Sequence, residues 1–200
     1  MDYISESEIH HIIQKVMSQV SGSPQPTSDL AITTSSKPSP TQPCASNDKK
    51  TVAVGSDHGG YEMKTTIIAY LAELGHQVID CGTSSQESVD YPDFAFAVAN
   101  KVRQGTACHG IVIDGAGIGS CMAANKVPGI RAAMCYDYAS AVNSREHNNA
   151  NVLTLGAGLL GINQVKLIVK TWLATDFGGG RHSRRVDKII EIEKRFLKEG

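Results

Sequence analysis

Residues 51–200 are predicted to form an α/β domain: a doubly wound, five-stranded parallel sheet in three α/β/α layers. Three observations lead there. Five short apolar segments recur from residue 51 onward, interleaved with helical patterns. Glycines gather where such segments end, as in Ser56-Asp57-His58-Gly59-Gly60 and Asp114-Gly115-Ala116-Gly117-Ile118-Gly119. Ahead of them, residues 21–50 carry five of the chain's seven prolines among Ser, Thr, Gln and Asn, a composition that cannot build a core.

Taken in order, residues 3–20 come first. Ile9, Ile12, Ile13, Val16, Met17 and Val20 fall at helical steps of three and four, with Ser5 and Glu8 spaced as a capping box. So short a helix is marginal alone in water, and its apolar face needs a partner. Residues 21–50 read as a disordered linker that would span roughly 30 Å as a flexible coil. The division is therefore an amphipathic helix (1–20), a linker (21–50) and a globular domain (51–200), the layout of a tethered address. It resembles the N-terminal encapsulation peptides of enzymes packed inside bacterial microcompartments, which dock on shell or cargo proteins. That resemblance implies a cytoplasmic protein housed in such a compartment. The plainer alternative is a helix that packs on its own domain or pairs with a copy of itself.

Within the domain, strands are expected at 51–56, 76–81, 111–114, 130–135 and 151–155. Helices are expected at 61–74 (closed by Gly75), 93–103, 121–126, 138–147, 164–175 and 186–198, with Pro92 suited to a first turn and Ser120 to an N-cap. The alternation is Rossmann-like. Ligands of such sheets bind outside the carboxyl ends of the strands.

Composition excludes several classes. A formal net charge of −1 over 200 residues leaves no basic stripe for nucleic acid. No apolar run reaches the ~20 residues of a membrane span, and the N-terminus lacks a secretory pattern. Five cysteines (44, 81, 108, 121, 135) form no Cys-x-x-Cys pair and are expected to be reduced thiols. No Cys, His or carboxylate group has metal-ligand spacing, so the chemistry is expected to need neither metal nor cofactor. Gly115-x-Gly117-x-Gly119 is not the dinucleotide spacing Gly-x-Gly-x-x-Gly, and it follows the third strand instead of the first.

Polar residues at the predicted strand ends carry the functional reading. Asp114 is a carboxylate beside a turn and helix start whose N–H groups favour negative charge, which suggests proton transfer on an anionic substrate. Its alternative is a solvated turn residue. Gly115, Gly117 and Gly119 leave the backbone uncovered for a small anion. Asp57 and His58 could hold sugar hydroxyls and a phosphate, or form an ordinary turn; Tyr91 could stack on a ligand, or simply pack. His147, followed by Asn148 and Asn149, is more polar than a helix-end dipole partner needs. Arg181, Arg184 and Arg185 follow three glycines, and arginine forks match phosphate oxygens; the alternative is a solvated basic patch.

Together these pieces resemble one family. Gly55-Ser56-Asp57-His58-Gly59-Gly60, Asp80-Cys81-Gly82-Thr83, Asp90-Tyr91-Pro92, Gly115–Gly119, Ala123-Ala124-Asn125-Lys126, Arg145-Glu146-His147-Asn148 and Gly179-Gly180-Arg181-His182 are similar, in that order, to ribose-5-phosphate isomerase B and galactose-6-phosphate isomerase. The resemblance implies metal-free interconversion of aldose and ketose phosphates through a cis-enediolate, in dimers or tetramers with shared active sites. It makes Asp57, His58 and Tyr91 sugar or phosphate ligands and gives His147 ring opening, with Asn148 beside it. Arg181 and Arg185 would grip the phosphate from a neighbouring subunit, and the glycine-turn N–H groups would stabilise the enediolate. Two departures stand out. Ribose-5-phosphate isomerases B carry a cysteine base where this chain has Asp114, and an anion-hole threonine where it has Ala116. Asp114 resembles instead the A subunit of galactose-6-phosphate isomerase, which works beside a cysteine-bearing partner. Asp114 is the expected base. Ribose 5-phosphate is the first substrate expected, and a binding subunit that needs such a partner is the alternative.

Overall fold

The computed structural model describes residues 50–196. The amphipathic helix and almost all of the linker expected at 1–50 lie outside the described residues. Five strands, β1 (Thr51–Ser56), β2 (Gln77–Asp80), β3 (His109–Asp114), β4 (Ala132–Met134) and β5 (Val152–Gly156), pair in the order β2-β1-β3-β5-β4. Every pairing is parallel. The doubly wound α/β class is as predicted.

Six α-helices connect and flank the strands: α1 (Tyr61–Glu73), α2 (Tyr91–Arg103), α3 (Ile118–Ala124), α4 (Tyr138–Glu146), α5 (Ile162–Ala174) and α6 (Ser183–Phe196). Strand side chains alternate between two apolar layers. Val52, Val54, Ile111, Ile113, Leu153 and Leu155 face Ile67 and Leu71 of α1 and Val165, Ile168 and Trp172 of α5. Ala53 and Val112 face Ala95, Val98 and Ala99 of α2 and Ala124 of α3. Small residues on the second side let α2 lie close: a Cβ on Gly110 would stand 2.5 Å from Val98. β3 is covered on both sides, which is why it reads as a continuous apolar run instead of alternating.

Local chemistry sets several boundaries. Gly75 takes φ 83° after α1, and the N–H groups of Gly75 and His76 bond back to Ala72 and Leu71, a Schellman ending. α4 starts on a capping box between Asp137 and Ser140. α2 begins two residues before the expected position, because Asp90 serves as N-cap and Pro92 sits in the first turn. The fourth strand contracts to Ala132–Met134, since Ile130 belongs to the turn entering it and Cys135 to the turn leaving it.

Three expectations are corrected. The N-cap of α3 is Gly117, at φ 79°, and Ser120 lies inside the first turn. Lys50, placed in the linker, donates its backbone N–H to His76 Nδ1 at 3.2 Å and its ammonium to the Leu173 carbonyl at 2.7 Å, so the ordered domain already includes it. Cys108 is disulfide-bonded, whereas Cys81, Cys121 and Cys135 are free thiols as expected.

Candidate active site

The carboxyl ends of β1 and β3 bring the first group of predicted residues together. Asp57 is almost fully buried and accepts the Gly60 N–H at 3.0 Å, capping the 3-10 turn His58–Gly60. A Cβ on Gly60 would lie 2.2 Å from the Ile113 carbonyl, so only glycine lets this turn sit on β3. A Cβ on Gly59 would lie 3.4 Å from Asp57 Oδ1 and 3.8 Å from the Gly115 nitrogen, so the two loops abut. His58 Nδ1 lies 3.2 Å from both the N–H and the carbonyl of Val89. That segment is braced in turn by Lys64, which is 2% exposed and bonds Asp80 at 2.6 and 2.8 Å and the Thr83 carbonyl at 2.8 Å.

Asp114 is not the solvated turn residue of the alternative reading: it is 4% exposed. Its Oδ1 accepts the N–H of Ala116 at 2.8 Å and of Gly117, and its Oδ2 accepts the N–H and hydroxyl of Ser120 at 3.0 and 2.5 Å. The carboxylate itself fills much of the anion cradle that the sequence assigns to a ligand. The three glycines divide by cause. Gly117 is demanded by its left-handed φ and by Leu155, 2.9 Å from any Cβ placed there. Gly119 seats Tyr91, whose ring lies 2.5 Å from a Cβ placed there. Gly115 is open, with nothing within 4 Å. Tyr91 itself is 40% exposed over this turn.

His147, Asn148, Arg181 and Arg185 are placed elsewhere. α4 leaves the carboxyl edge after β4 and runs back, so its C-cap, His147, comes down beside the start of β5. His147 stacks on His182 with ring centroids 4.1 Å apart, and its Nδ1 meets the Asn143 amide at 2.8 Å. Asn148 bonds Asn143 through its own amide, and Arg181 Nε points at His182 Nε2 at 3.4 Å. Desolvation, then the neighbouring His147, Arg181 and Arg185, push His182 below the usual histidine range. Within one protomer this basic cluster and the Asp57–Asp114 group occupy opposite edges of the sheet.

Sequence reasoning missed three supporting groups. Thr154 Oγ1 donates to the Gly117 carbonyl at 2.9 Å, Tyr136 reaches the Ala116 carbonyl at 3.4 Å, and Ser120 holds Asp114. A signal existed for one of them: a threonine in an apolar strand needs a buried partner. Among the described residues, no group of three or more His, Cys, Asp or Glu is arranged to hold a metal ion, and no helix is long and apolar enough to cross a membrane.

Comparison with known proteins settles the lineage. The family model described as Ribose/Galactose Isomerase matches residues 52–189. The chain belongs to the ribose/galactose isomerase family. Ribose-5-phosphate isomerase B of Escherichia coli K12 is 47% identical over 146 residues, covering 73% of this chain and 98% of that protein. The Clostridium thermocellum ribose-5-phosphate isomerase B structure superposes with a TM-score of 0.73 at 52% identity, over 74% of this chain and 99% of that one. A Mycoplasma genitalium ribose-5-phosphate isomerase B, solved with ribulose-5-phosphate bound, superposes with a TM-score of 0.70 at 42% identity, over 72% and 96%. As a ribose/galactose isomerase, the chain is an aldose–ketose isomerase acting on a sugar phosphate.

Proposed function

We propose that this protein interconverts D-ribose 5-phosphate and D-ribulose 5-phosphate, with Asp114 as the base that moves the proton between C1 and C2 through a cis-enediolate. The observation that carries the reading is the convergence of Asp57, His58, Tyr91 and Asp114 where β1 and β3 end. Asp57, His58 and Tyr91 would hold the sugar. The backbone at Gly115 and Gly119 would face the enediolate oxygen, a preorganised electrostatic role.

The remaining residues enter from a second copy. His147, with Asn148 beside it, opens the ring, and Arg181 and Arg185 grip the phosphate of the neighbouring subunit's site. A homodimer or homotetramer with shared sites is supported by the separation of the two clusters within one protomer. It is supported also by α6, which leaves Ile189, Ile192 and Phe196 exposed at spacings of three and four. A general base contributes roughly 10²–10⁴-fold to rate. Asp114→Asn assayed on ribose 5-phosphate should therefore lose at least a hundredfold in kcat, and wild-type turnover by that variant would remove the assignment.

The filled cradle favours a second reading. A carboxylate already satisfied by four donors fits a binding subunit that needs a cysteine-bearing paralogue for chemistry. Inactivity of the purified homo-oligomer, relieved by adding that paralogue, would select it.

Residues 1–20 are proposed to address the enzyme to a bacterial microcompartment by docking on shell or cargo proteins, on the strength of their apolar stripe and the Pro-rich segment behind it. Residues 1–50 fused to a fluorescent reporter should form puncta in cells that build shells; diffuse fluorescence there would reject the address.

A further inference from the structure

Asp114 holds the charge on which the proposed proton transfer turns, yet that reading alone does not say how its oxygens become free. A carboxylate offers about four lone-pair sites. All four are in use here: the N–H groups of Ala116 and Gly117 on Oδ1, the N–H and hydroxyl of Ser120 on Oδ2. Three of these donors are backbone groups locked by their surroundings. Gly117 is wedged against Leu155 and its carbonyl is held by Thr154, the Ala116 backbone packs against Gly156, and the Ser120 N–H belongs to α3. The fourth is a hydroxyl that turns about a single side-chain bond. A helical serine can donate instead to the carbonyl one turn back, which for Ser120 is that of Ala116.

We propose that Ser120 is a positioning residue that governs proton uptake at Asp114: swinging its hydroxyl off Oδ2 vacates the one lone pair that opens without moving backbone. The proposal rests on Asp114 being the base. In the forward step Oδ2 forms an O–H bond to the hydrogen on the carbon beside the sugar carbonyl. That C–H bond breaks, its electron pair becomes the C=C bond of the enediolate, and the carbonyl oxygen takes the negative charge. The hydroxyl proton on the carbon that lost its hydrogen then passes to the oxyanion, and the oxygen left behind forms the new carbonyl. The C=C electron pair takes the proton from Oδ2 at the neighbouring carbon. This restores the carboxylate, and the Ser120 hydroxyl closes on it again. Ser120 is fully buried and acts only through Asp114. The other titratable groups around the turn are Asp57 and His58 after β1, Tyr91 on α2, Cys121 on α3 and Tyr136 after β4. None of them is hydrogen-bonded to the Asp114 carboxylate.

The test is a carbon-13 carboxyl titration of the full-length protein, with the Asp114 resonance assigned by its absence in Asp114→Asn, alongside kcat/KM for ribose 5-phosphate against pH. Ser120→Ala removes the movable donor and leaves the three N–H groups. The Asp114 midpoint, and the acid limb of kcat/KM with it, should move up by about one pH unit. Ser120→Thr keeps a hydroxyl and should return both to their wild-type positions. Ser120→Cys keeps the volume with a weaker donor and should fall between, which preserves the comparison if the alanine variant does not fold. A midpoint unchanged in Ser120→Ala or Ser120→Cys overturns the proposal, as does a threonine variant displaced as far as the alanine one. A purely packing role for Ser120 would lower the melting temperature and leave the midpoint in place. Asp114→Asn with wild-type kcat/KM would instead bring down the base reading, whatever the titration shows.

Discussion

Asp114 and His147 stand at opposite ends of the same strand. Asp114 pairs with Gly156, the last residue of β5, whereas His147 precedes Val152, its first. Five residues of strand put at least about 13 Å between the two along the strand. No side-chain rotation closes that gap, so chemistry that uses both draws them from different protomers.

Subunit mixing is the direct check. Asp114→Asn and His147→Ala, each inactive as a homo-oligomer, should recover activity when their subunits are exchanged. In a twofold dimer, random mixing restores one intact site in half the molecules, about a quarter of wild-type kcat. Recovery near zero, with exchange verified by mass, would place both residues in one protomer's site or outside the site altogether.

Gly119→Ala probes the seat of Tyr91. The added Cβ would lie 2.5 Å from the Tyr91 ring, and Tyr91, being 40% exposed, can yield by swinging outward. The expected result is a rise of about tenfold in KM for the sugar phosphate with little change in kcat or melting temperature, the mark of lost binding that is uniform along the reaction.

Asp80→Asn tests the brace under the segment that holds His58. It leaves the Lys64 ammonium, 2% exposed, with only the Thr83 carbonyl and a neutral amide. Removing one partner of a buried pair costs about 3–5 kcal/mol, less here because Asp80 is half exposed. A melting temperature lower by roughly 5–10 °C is expected, and an unchanged melt would show that the pair is dispensable.

Acid sensitivity should trace to His109. Burial first, then the charges of Arg145, Lys50 and His76, lower its pKa to about 3. The ring packs edge-on to Trp172 at 5.1 Å. Between pH 6.5 and 3 the unfolded chain binds a proton at this ring that the folded chain does not. Stability therefore falls as pH drops through that window, by about 2 kcal/mol at pH 5 from this group. His109→Gln should flatten the fall of melting temperature between pH 6.5 and 4; an identical slope would assign the acid loss to other residues.

Much of this protein was written locally. Strand and helix alternation follows from runs such as Thr51–Ser56 and His109–Asp114 and from the breakers between them, Gly75 among them, because those signals act over a few residues. Asp57, His58, Tyr91 and Asp114 were legible as a group because the carboxyl ends of parallel strands lie on one edge by construction. Hidden were the partners. Ser120 read as a helix cap and Thr154 as part of an apolar strand; that one holds Asp114 and the other the Gly117 carbonyl depends on a hydrogen bond closed across the turn.

The sequence by itself determined the fold class, the family and the residue types able to do the chemistry. Tertiary structure decided their grouping. Helices return antiparallel to the strands they follow, which sends His147 and the arginines to the edge away from Asp114. A buried carboxylate must satisfy its lone pairs, which turned the glycine cradle inward onto Asp114.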